Sequence, residues 1–481
     1  LHLWWSRKPL ATSRAILLCQ VIDDPSSLPE EFKDKNSQDK ERQRLLNLIS
    51  SLCKWENINN SELINEAKLE IQKTWERFCE DNNKYSNASD KWEKENLPGF
   101  FDPFAGGGSI PLEAARLGFK SAASDVNTVA VLINKSMIEL PARFKDIQPI
   151  SNIYKKESLY LHSLKNFDGL VEDLNFYSLW LLEKVKKDIS IFYPDKKITS
   201  KLIQARDDLK PYEGQSLKII AWIWSNTVES PNPNFKGCQT PLLPKYYLCN
   251  KKNNFVYVEP EVESKSIKFK IKTGNPLDRE RVNNGAKSGR GANFRCLYSG
   301  DVISSEYIQS YSQKNGLQNQ IVAIVLQGKG ERLYIEPTEE DENIAKSPKN
   351  FWEPSLQING EGSYVGIKNY GMNYFKDIFT PRQLFCLSTF TSFFPELFEK
   401  LQQDFIASLD SSNKKFKDFE NTSDLSKQYA SLISTYLCFA LNKVADRGSK
   451  LSRWDPTPTQ SGIINTFCRQ AFSMTWDFAE S

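Results

Sequence analysis

The run Asp102-Pro103-Phe104-Ala105-Gly106-Gly107-Gly108, followed by Asp125, holds the residues whose types and spacing point most directly to chemistry. Gly99-Phe100-Phe101-Asp102 reads as a short apolar strand ending in an acid. The glycines make a turn, and Ser109-Ile110-Pro111 suits the start of a helix that runs through residues 112–117 and closes at Gly118. Glycines let the backbone pass close under a ligand, and free amides at a helix start favour a group of negative charge. A second strand over residues 119–124 ends in Asp125, where an acid at the strand tip reaches ribose hydroxyls in nucleoside-binding sheets. Asn127 opens the helix that follows, over residues 128–138. A dinucleotide fingerprint fails, because Ser109, Ile110 and Pro111 follow Gly108 without a third glycine, and no Lys-Ser/Thr completes a P-loop. A glycine turn alone is commonly an ordinary strand-to-helix turn. Strand, acid, aromatic, glycines, helix and second acid at this spacing together make a nucleoside-cofactor site.

Those residues need a scaffold. Residues 10–22 read as a helix feeding the first core. Residues 26–94 turn polar, with Leu45, Leu46, Ile49 and Leu52 at roughly helical spacing, and predict a helical insertion without chemistry of its own. A helical region over 151–214 carries Leu170, Leu174, Leu179, Leu181 and Leu182. Residues 215–345 read as a β-rich module, with strands at 217–224, 255–257 and 266–271, and a hairpin joining 321–326 to 332–335 through Gly328-Lys329-Gly330. Residues 346–481 read as helical: Thr380-Pro381-Arg382-Gln383 is a capping box with proline at the first helical position, and a helix over 425–444 stops at Gly448. The fold class is therefore α/β, with the cofactor core built from residues 1–25 and 95–150.

Composition sets limits on function. Of 481 residues, 40% are hydrophobic and 26% charged, with a net charge of +3, so any nucleic-acid surface must be local. No apolar run approaches the ~18 residues of a membrane span. Nine cysteines without a Cys-x-x-Cys pair indicate a reducing, cytoplasmic setting, and His2 and His162 alone leave little for histidine-based metal or triad chemistry. From Lys265 to Arg295 nine basic residues (Lys265, Lys268, Lys270, Lys272, Arg279, Arg281, Lys287, Arg290 and Arg295) face two acids, Asp278 and Glu280. Lys287, Arg290 and Arg295 fall in or beside a glycine-rich stretch that predicts a mobile, phosphate-contacting loop; a solvated loop is the plain alternative.

The run from Asp102 to Gly108 resembles motif I of the amino-group DNA methyltransferases, Asp-Pro-Phe-x-Gly-x-Gly. The chain is similar to a family of adenine-specific DNA methylases that carry a zinc ribbon and an N-terminal region of unknown function. The similarity extends over Leu1-His2-Leu3-Trp4-Trp5-Ser6-Arg7-Lys8-Pro9-Leu10, Ala123-Ser124-Asp125-Val126-Asn127 and Phe379-Thr380-Pro381-Arg382-Gln383-Leu384. It continues over Ser449-Lys450-Leu451-Ser452-Arg453-Trp454, Asn465-Thr466-Phe467-Cys468-Arg469-Gln470 and Trp476-Asp477-Phe478-Ala479-Glu480. The resemblance implies a Rossmann-like core that binds S-adenosylmethionine. Asp102, Phe104, Ala105, Gly106 and Gly108 would cradle its methionyl part and Asp125 its ribose, with Pro103, Gly107 and Asn127 in the same set. Arg7, Lys8 and Pro9 would form part of the cofactor wall.

In the zinc-ribbon versions four cysteines make two knuckles. Here Ser230-Pro231-Asn232-Pro233-Asn234-Phe235-Lys236-Gly237-Cys238 and Cys296-Leu297-Tyr298-Ser299-Gly300 stand in their places. Serine at 230 and 299 is a poor zinc ligand, and Cys249 is off the pattern, so the expectation is a degenerate ribbon without metal. Methyl transfer to an amine in this superfamily uses an (Asp/Asn/Ser)-Pro-Pro-aromatic motif on a flipped base. No Pro-Pro dipeptide occurs, and Asp455-Pro456-Thr457-Pro458 is no substitute. The expectation is a fragment, truncated at both ends, that binds the cofactor without catalysing. The implied partners are double-stranded DNA and other subunits of a restriction-modification or phage-defence system. The rivals are an RNA or cytosine methyltransferase and a non-catalytic DNA-binding or scaffold subunit.

Overall fold

The computed structural model describes residues 4, 6–84, 92–151, 164–204, 206–416, 421–459, 462–467 and 471–481. Leu1, His2, Leu3, Trp5, His162 and Cys468-Arg469-Gln470 lie outside the described residues. The chain divides into two units, Leu1–Asn175 with Glu399–Tyr436 and Phe176–Phe398 with Leu437–Ser481.

In the first unit, helices α1 (Leu10–Val21), α2 (Lys35–Cys53) and α3 (Ser61–Asn83) precede the glycine turn. Asp34 and Ser37 form a capping box that starts α2, and the Asn60 side chain accepts from two amides to start α3. Leu48 and Leu52 of α2 and Ala67 and Ile71 of α3 share one core with Leu17, Leu18, Ala114, Leu117 and Phe119. The inserted helices thus pack onto the segment that carries the glycine turn. Strand β1 (Gly99–Asp102), helix α4 (Ser109–Arg116) and strand β2 (Lys120–Ala123) form a parallel βαβ unit with Asp102 opposite Ala123. Helix α5 (Thr128–Asn134) then passes through a π-helical turn, Lys135–Glu139, into α6 (Leu140–Arg143). This replaces the single helix expected over 128–138. A buried ion pair, Arg14 Nε to Glu113 at 2.7 Å, ties α1 to α4, and Arg14 also donates to the Leu52 carbonyl. Burying these charges is tolerable because each has its partner in place.

Helix α7 (Asp168–Ile189) leads to a short ribbon of β3 (Lys196–Lys197) and β4 (Ser216–Leu217), with α8 (Ser200–Ile203) between them. The second unit is built on β5 (Ile219–Glu229), followed by β6 (Gln239–Pro241). A three-stranded meander follows: β7 (Tyr247–Lys251), β8 (Asn254–Glu263) and β9 (Ser266–Thr273). Helix α9 (Arg279–Asn284), the β10 (Phe294–Arg295) and β11 (Val302–Ile303) pair, and α10 (Ser305–Asn315) come next. The expected hairpin is β12 (Gln318–Gln327) and β13 (Arg332–Ile335), and α11 (Glu339–Lys346) follows it. Residues 219–224 of β5 and 321–326 of β12 are apolar throughout because both sheet faces are covered there. Ala221, Ile223 and Val325 face one core, and Trp222, Trp224, Ile324 and Leu326 face the other.

Helices α12 (Pro381–Ser392), α13 (Phe394–Ser408) and α14 (Thr422–Arg447) match the helical reading of residues 346–481. That reading is incomplete. The short β14 (Trp454–Asp455) and β15 (Gly462–Ile463) pair with each other, and β16 (Asp477–Glu480) joins the main sheet antiparallel to β5. A four-residue strand is too short to display its period, so nothing in the sequence pattern separates it from its helical neighbours. Among the described residues no helix is long and apolar enough to cross a membrane.

Candidate functional site

The glycine turn is held by local hydrogen bonds. Asp102 closes β1 and accepts from the Phe104 amide at 3.0 Å, while the Ala105 amide donates to the Ser124 carbonyl at 3.0 Å and the Gly108 amide to Ala105 at 2.8 Å. Pro103 is exposed, and its carbonyl accepts from the Ser124 hydroxyl at 3.2 Å. Gly106 and Gly108 sit at φ of +49° and +72°, where a side chain is strained. A Cβ on Gly106 would stand 2.8 Å from the Trp4 indole nitrogen, one on Gly107 3.1 Å from Arg7 Cγ, and one on Gly108 2.5 Å from Asn134 Oδ1. The three glycines therefore leave room for the opening segment on one side and for α5 on the other.

The two carboxylates play different parts. Asp125 accepts from the Gly106 amide at 2.8 Å through one oxygen and from the Asn127 amide at 2.8 Å through the other. The Asn127 amide, then that of Gly106, hold its carboxyl below the usual carboxylate range. Asp125 thus braces the turn as well as facing outward. Asn127, expected in the cofactor set, uses its side chain to cap α5 through the Val129 amide at 2.9 Å. Phe104 and Val126, next to the acids at the carboxyl ends of β1 and β2, are 81% and 93% exposed. Large apolar side chains held out beside two acids at this edge of a βαβ unit are positioned to flank a ligand.

Of the opening segment, Arg7 reaches the turn and donates to the Met137 sulfur at 3.3 Å, Pro9 caps α1, and Lys8 points to solvent away from any hydrogen-bond partner among the described residues. Trp4, Asn134 and Met137 are site residues that motif reading missed. Asn134 is buried and donates to the carbonyls of Gly106 at 3.0 Å and Ala130 at 2.8 Å, at the point where the helix widens into its π turn. Such widenings recur at functional sites. The one sequence signal is an asparagine on the apolar side of a predicted helix. A cavity of about 410 Å³ lies along β2, lined by Pro111, Ser121, Ser124, Val131, Asn134 and Glu139.

In the second unit the ribbon-like positions do meet. Ser230 Oγ lies 3.1 Å from Cys296 Sγ, the Ser230 amide donates to the Cys238 carbonyl at 2.9 Å, and the Gly300 amide donates to the Cys296 carbonyl at 2.8 Å. Burial raises the Cys296 thiol, but the hydroxyls of Ser230 and Ser299 and the amides of Ser299 and Tyr298 offset this and leave it below its usual value. Phe235 stacks on Tyr298 at 5.4 Å, and Asn232 donates to Asp301 at 2.8 Å. Cys249 belongs to a separate core.

The basic stretch is smaller than its count. Lys268, Lys270 and Lys272 pair with Glu263, Glu336 and Glu259 at 2.7, 3.1 and 3.7 Å. Lys287 donates to the Gly291 carbonyl at 2.6 Å and lies over the Phe294 ring, so it staples the loop. The glycine-rich stretch expected to be a mobile loop is a hydrogen-bonded turn, in which the Ser288 amide donates to Asn293 and that of Arg295 to Ala286. Arg290 and Arg295 remain exposed, with Arg279 and Arg281 nearby in sequence.

A family model described as a protein of unknown function (DUF1156) matches residues 1–48, covering the opening segment, α1 and most of α2. No curated protein and no solved structure matches the chain.

Proposed function

We propose that the chain is the S-adenosylmethionine-binding part of a DNA methyltransferase that acts on the exocyclic amine of adenine in a restriction-modification or phage-defence system of the cytoplasm. The carrying observation is the turn from Asp102 to Gly108, braced by Asp125 from the neighbouring parallel strand and closed over by Trp4 and Arg7. Two carboxylates at this edge suit a ligand with a positive sulfonium and ammonium and disfavour a pyrophosphate. That charge pattern and the missing third glycine favour the sulfonium nucleoside over a dinucleotide. Phe104 and Val126 would flank the adenosine part, the remaining lone pairs of Asp125 would take its ribose, and Asp102 the methionyl amine. Bound at the turn, S-adenosylmethionine would supply an electrophilic methyl group. The exposed Arg290 and Arg295 would meet the phosphates of double-stranded DNA.

Isothermal titration of the full chain with S-adenosylmethionine tests the reading, with Asp125→Ala and NAD as comparisons. Binding that Asp125→Ala weakens at least tenfold, with no binding of NAD, supports it. A folded protein that binds no S-adenosylmethionine overturns it in favour of a non-catalytic DNA-binding or scaffold subunit.

A further inference from the structure

Asp477 begins β16 in register with Ser225, on the sheet face that carries Ala479 and Ile223 and packs against a core that includes Tyr247 of the meander. That face is apolar, and a carboxylate there is costly unless something pairs with it. Among the described residues the only hydrogen bond to its carboxyl comes from its own amide. Burial pushes the group up to about 6, and Arg453 and Lys245 draw it partly back. Neither cation makes an ion pair with an acid among the described residues, and both are exposed.

A cavity of about 210 Å³ opens at this point, lined by Leu243, Lys245, Tyr247, Arg453, Trp454 and Asp477. Trp454 is fixed as a wall because its indole N–H donates to the Leu248 carbonyl at 2.7 Å. The volume lies below the ~300 Å³ at which sites for drug-sized ligands begin, so one ring system fits and an extended chain does not. The walls offer aromatic rings, the floor an acceptor whose one donor is its own amide, and the rim two cations and the Asp455 carboxylate, which accepts from the Thr457 amide. A carboxylic acid would meet Asp477, and a polyamine would meet the cations. A planar ring with an amino donor on one side and a negative charge on the other satisfies all three features.

We propose that this cavity binds one nucleotide whose base carries an exocyclic amino group. The amino group donates to Asp477, the ring lies against Trp454 and Tyr247, and the phosphate meets Lys245 and Arg453. The nucleotide is either free or one unit of a strand; only in the second case does the site become an acceptor subsite and rest on the methyltransferase reading.

The test is calorimetry on the full chain without S-adenosylmethionine, using AMP, IMP and a short single-stranded oligo(dA). IMP carries a carbonyl where AMP carries the amine. AMP should bind about tenfold more tightly than IMP, the scale of one buried hydrogen bond. Asp477→Asn, which can accept or donate, should collapse that preference while circular dichroism stays unchanged. Arg453→Gln and Lys245→Gln should weaken both nucleotides without changing their ratio. Oligo(dA) binding more tightly than AMP, with the same sensitivity to Asp477→Asn, identifies a strand as the source; equal or weaker binding identifies the free nucleotide. The proposal is overturned if neither AMP nor oligo(dA) binds, or if Asp477→Asn and Arg453→Gln leave binding unchanged. It is also overturned if Asp125→Ala weakens AMP binding as strongly as Asp477→Asn does, which would place the nucleotide at the glycine turn. Failure of the cofactor reading leaves the AMP/IMP preference and its collapse in Asp477→Asn untouched, so the two outcomes separate.

Discussion

Replacing Arg382 by methionine should destabilise the second unit by about 3 kcal/mol, the lower end of the ~3–5 kcal/mol that follows removal of one partner of a buried pair. Arg382 and Glu480 are both fully buried. The guanidinium donates to the two carboxylate oxygens at 3.0 and 2.8 Å and to the Phe192 carbonyl at 2.9 Å, and lies 3.8 Å from the centre of the Trp222 ring. Glu480 also accepts from the Thr380 hydroxyl and the Trp224 indole, each at 2.8 Å. Those two donors survive in Arg382→Met, which is why the lower end applies. Glu480→Leu leaves a buried guanidinium with one carbonyl acceptor and should cost more. The double variant Arg382→Met/Glu480→Leu buries no charge and should recover about 2 kcal/mol relative to the sum of the singles, because replacing both partners removes the desolvation penalty along with the attraction. Urea unfolding followed by tryptophan fluorescence reads this directly, since Trp222 and Trp224 border the pair. An Arg382→Met cost below about 1 kcal/mol, or strict additivity in the cycle, would refute the argument that the pair is a coupled buried unit.

At the glycine turn, Gly108→Ala should cost about 1–3 kcal/mol from its positive φ and the approach to Asn134, and abolish S-adenosylmethionine binding; Gly107→Ala, whose methyl would meet Arg7 Cγ and Trp4 Cβ at 3.1 and 3.2 Å without a strained φ, should lower the thermal midpoint less than Gly108→Ala does. Asp173 is buried, accepts from the amides of Ile150 and Ser151 and from Tyr429, and is pushed up by burial from 3.8 to about 6. The folded state therefore holds its proton after the unfolded state has released it, and stability falls as pH rises from about 4 to about 6. At roughly 1.4 kcal/mol per pKa unit the fall is on the order of 3 kcal/mol. Asp477 adds a change of the same sign, so urea midpoints against pH should flatten in part in Asp173→Asn and further in the double asparagine variant; an unchanged slope counts against both. Changing Arg281, Arg290 and Arg295 to glutamine should lower the log–log salt dependence of DNA binding by about 0.9 for each phosphate that is no longer neutralised. Changing Lys268, Lys270 and Lys272 should leave that slope unmoved in the same filter-binding titrations. Elemental analysis should return well under one zinc per chain, since Ser230 and Ser299 stand beside Cys296 where thiolates would be needed; one equivalent would overturn the metal-free reading.

The glycine turn is legible in the sequence because its determinants are local: strand, acid, glycines, helix and second acid lie between Gly99 and Asp125, and each restricts backbone geometry by itself. Trp4, Asn134 and Met137 are not, because their part depends on how distant elements pack and a lone asparagine within a helix has no positional signature. The basic stretch misleads for a different reason. Glu259, Glu261 and Glu263 precede Lys268, Lys270 and Lys272 across a tight turn, and two alternating runs of opposite sign on paired strands predict neutralisation. Counting charge over a window discards that alternation and treats paired lysines as free. The segments outside the glycine turn hold a contact that the sequence does not announce. Thr380 to Gln383, read as a capping box, does cap its helix, but it and Trp476 to Glu480, which the sequence marks only by resemblance, also meet as two halves of the buried Arg382–Glu480 network. Ser449, Ser452 and Thr466 likewise share a buried hydroxyl cluster at 2.7 and 2.8 Å. Polar residues in otherwise apolar segments mark either chemistry or a buried network, and sequence cannot separate the two because both need the same side chains. Partner count separates them. Glu480 accepts four hydrogen bonds from three residues and has no capacity left for a ligand, whereas Asp477, three residues earlier on the same strand, has only its own amide and a cavity in front of it.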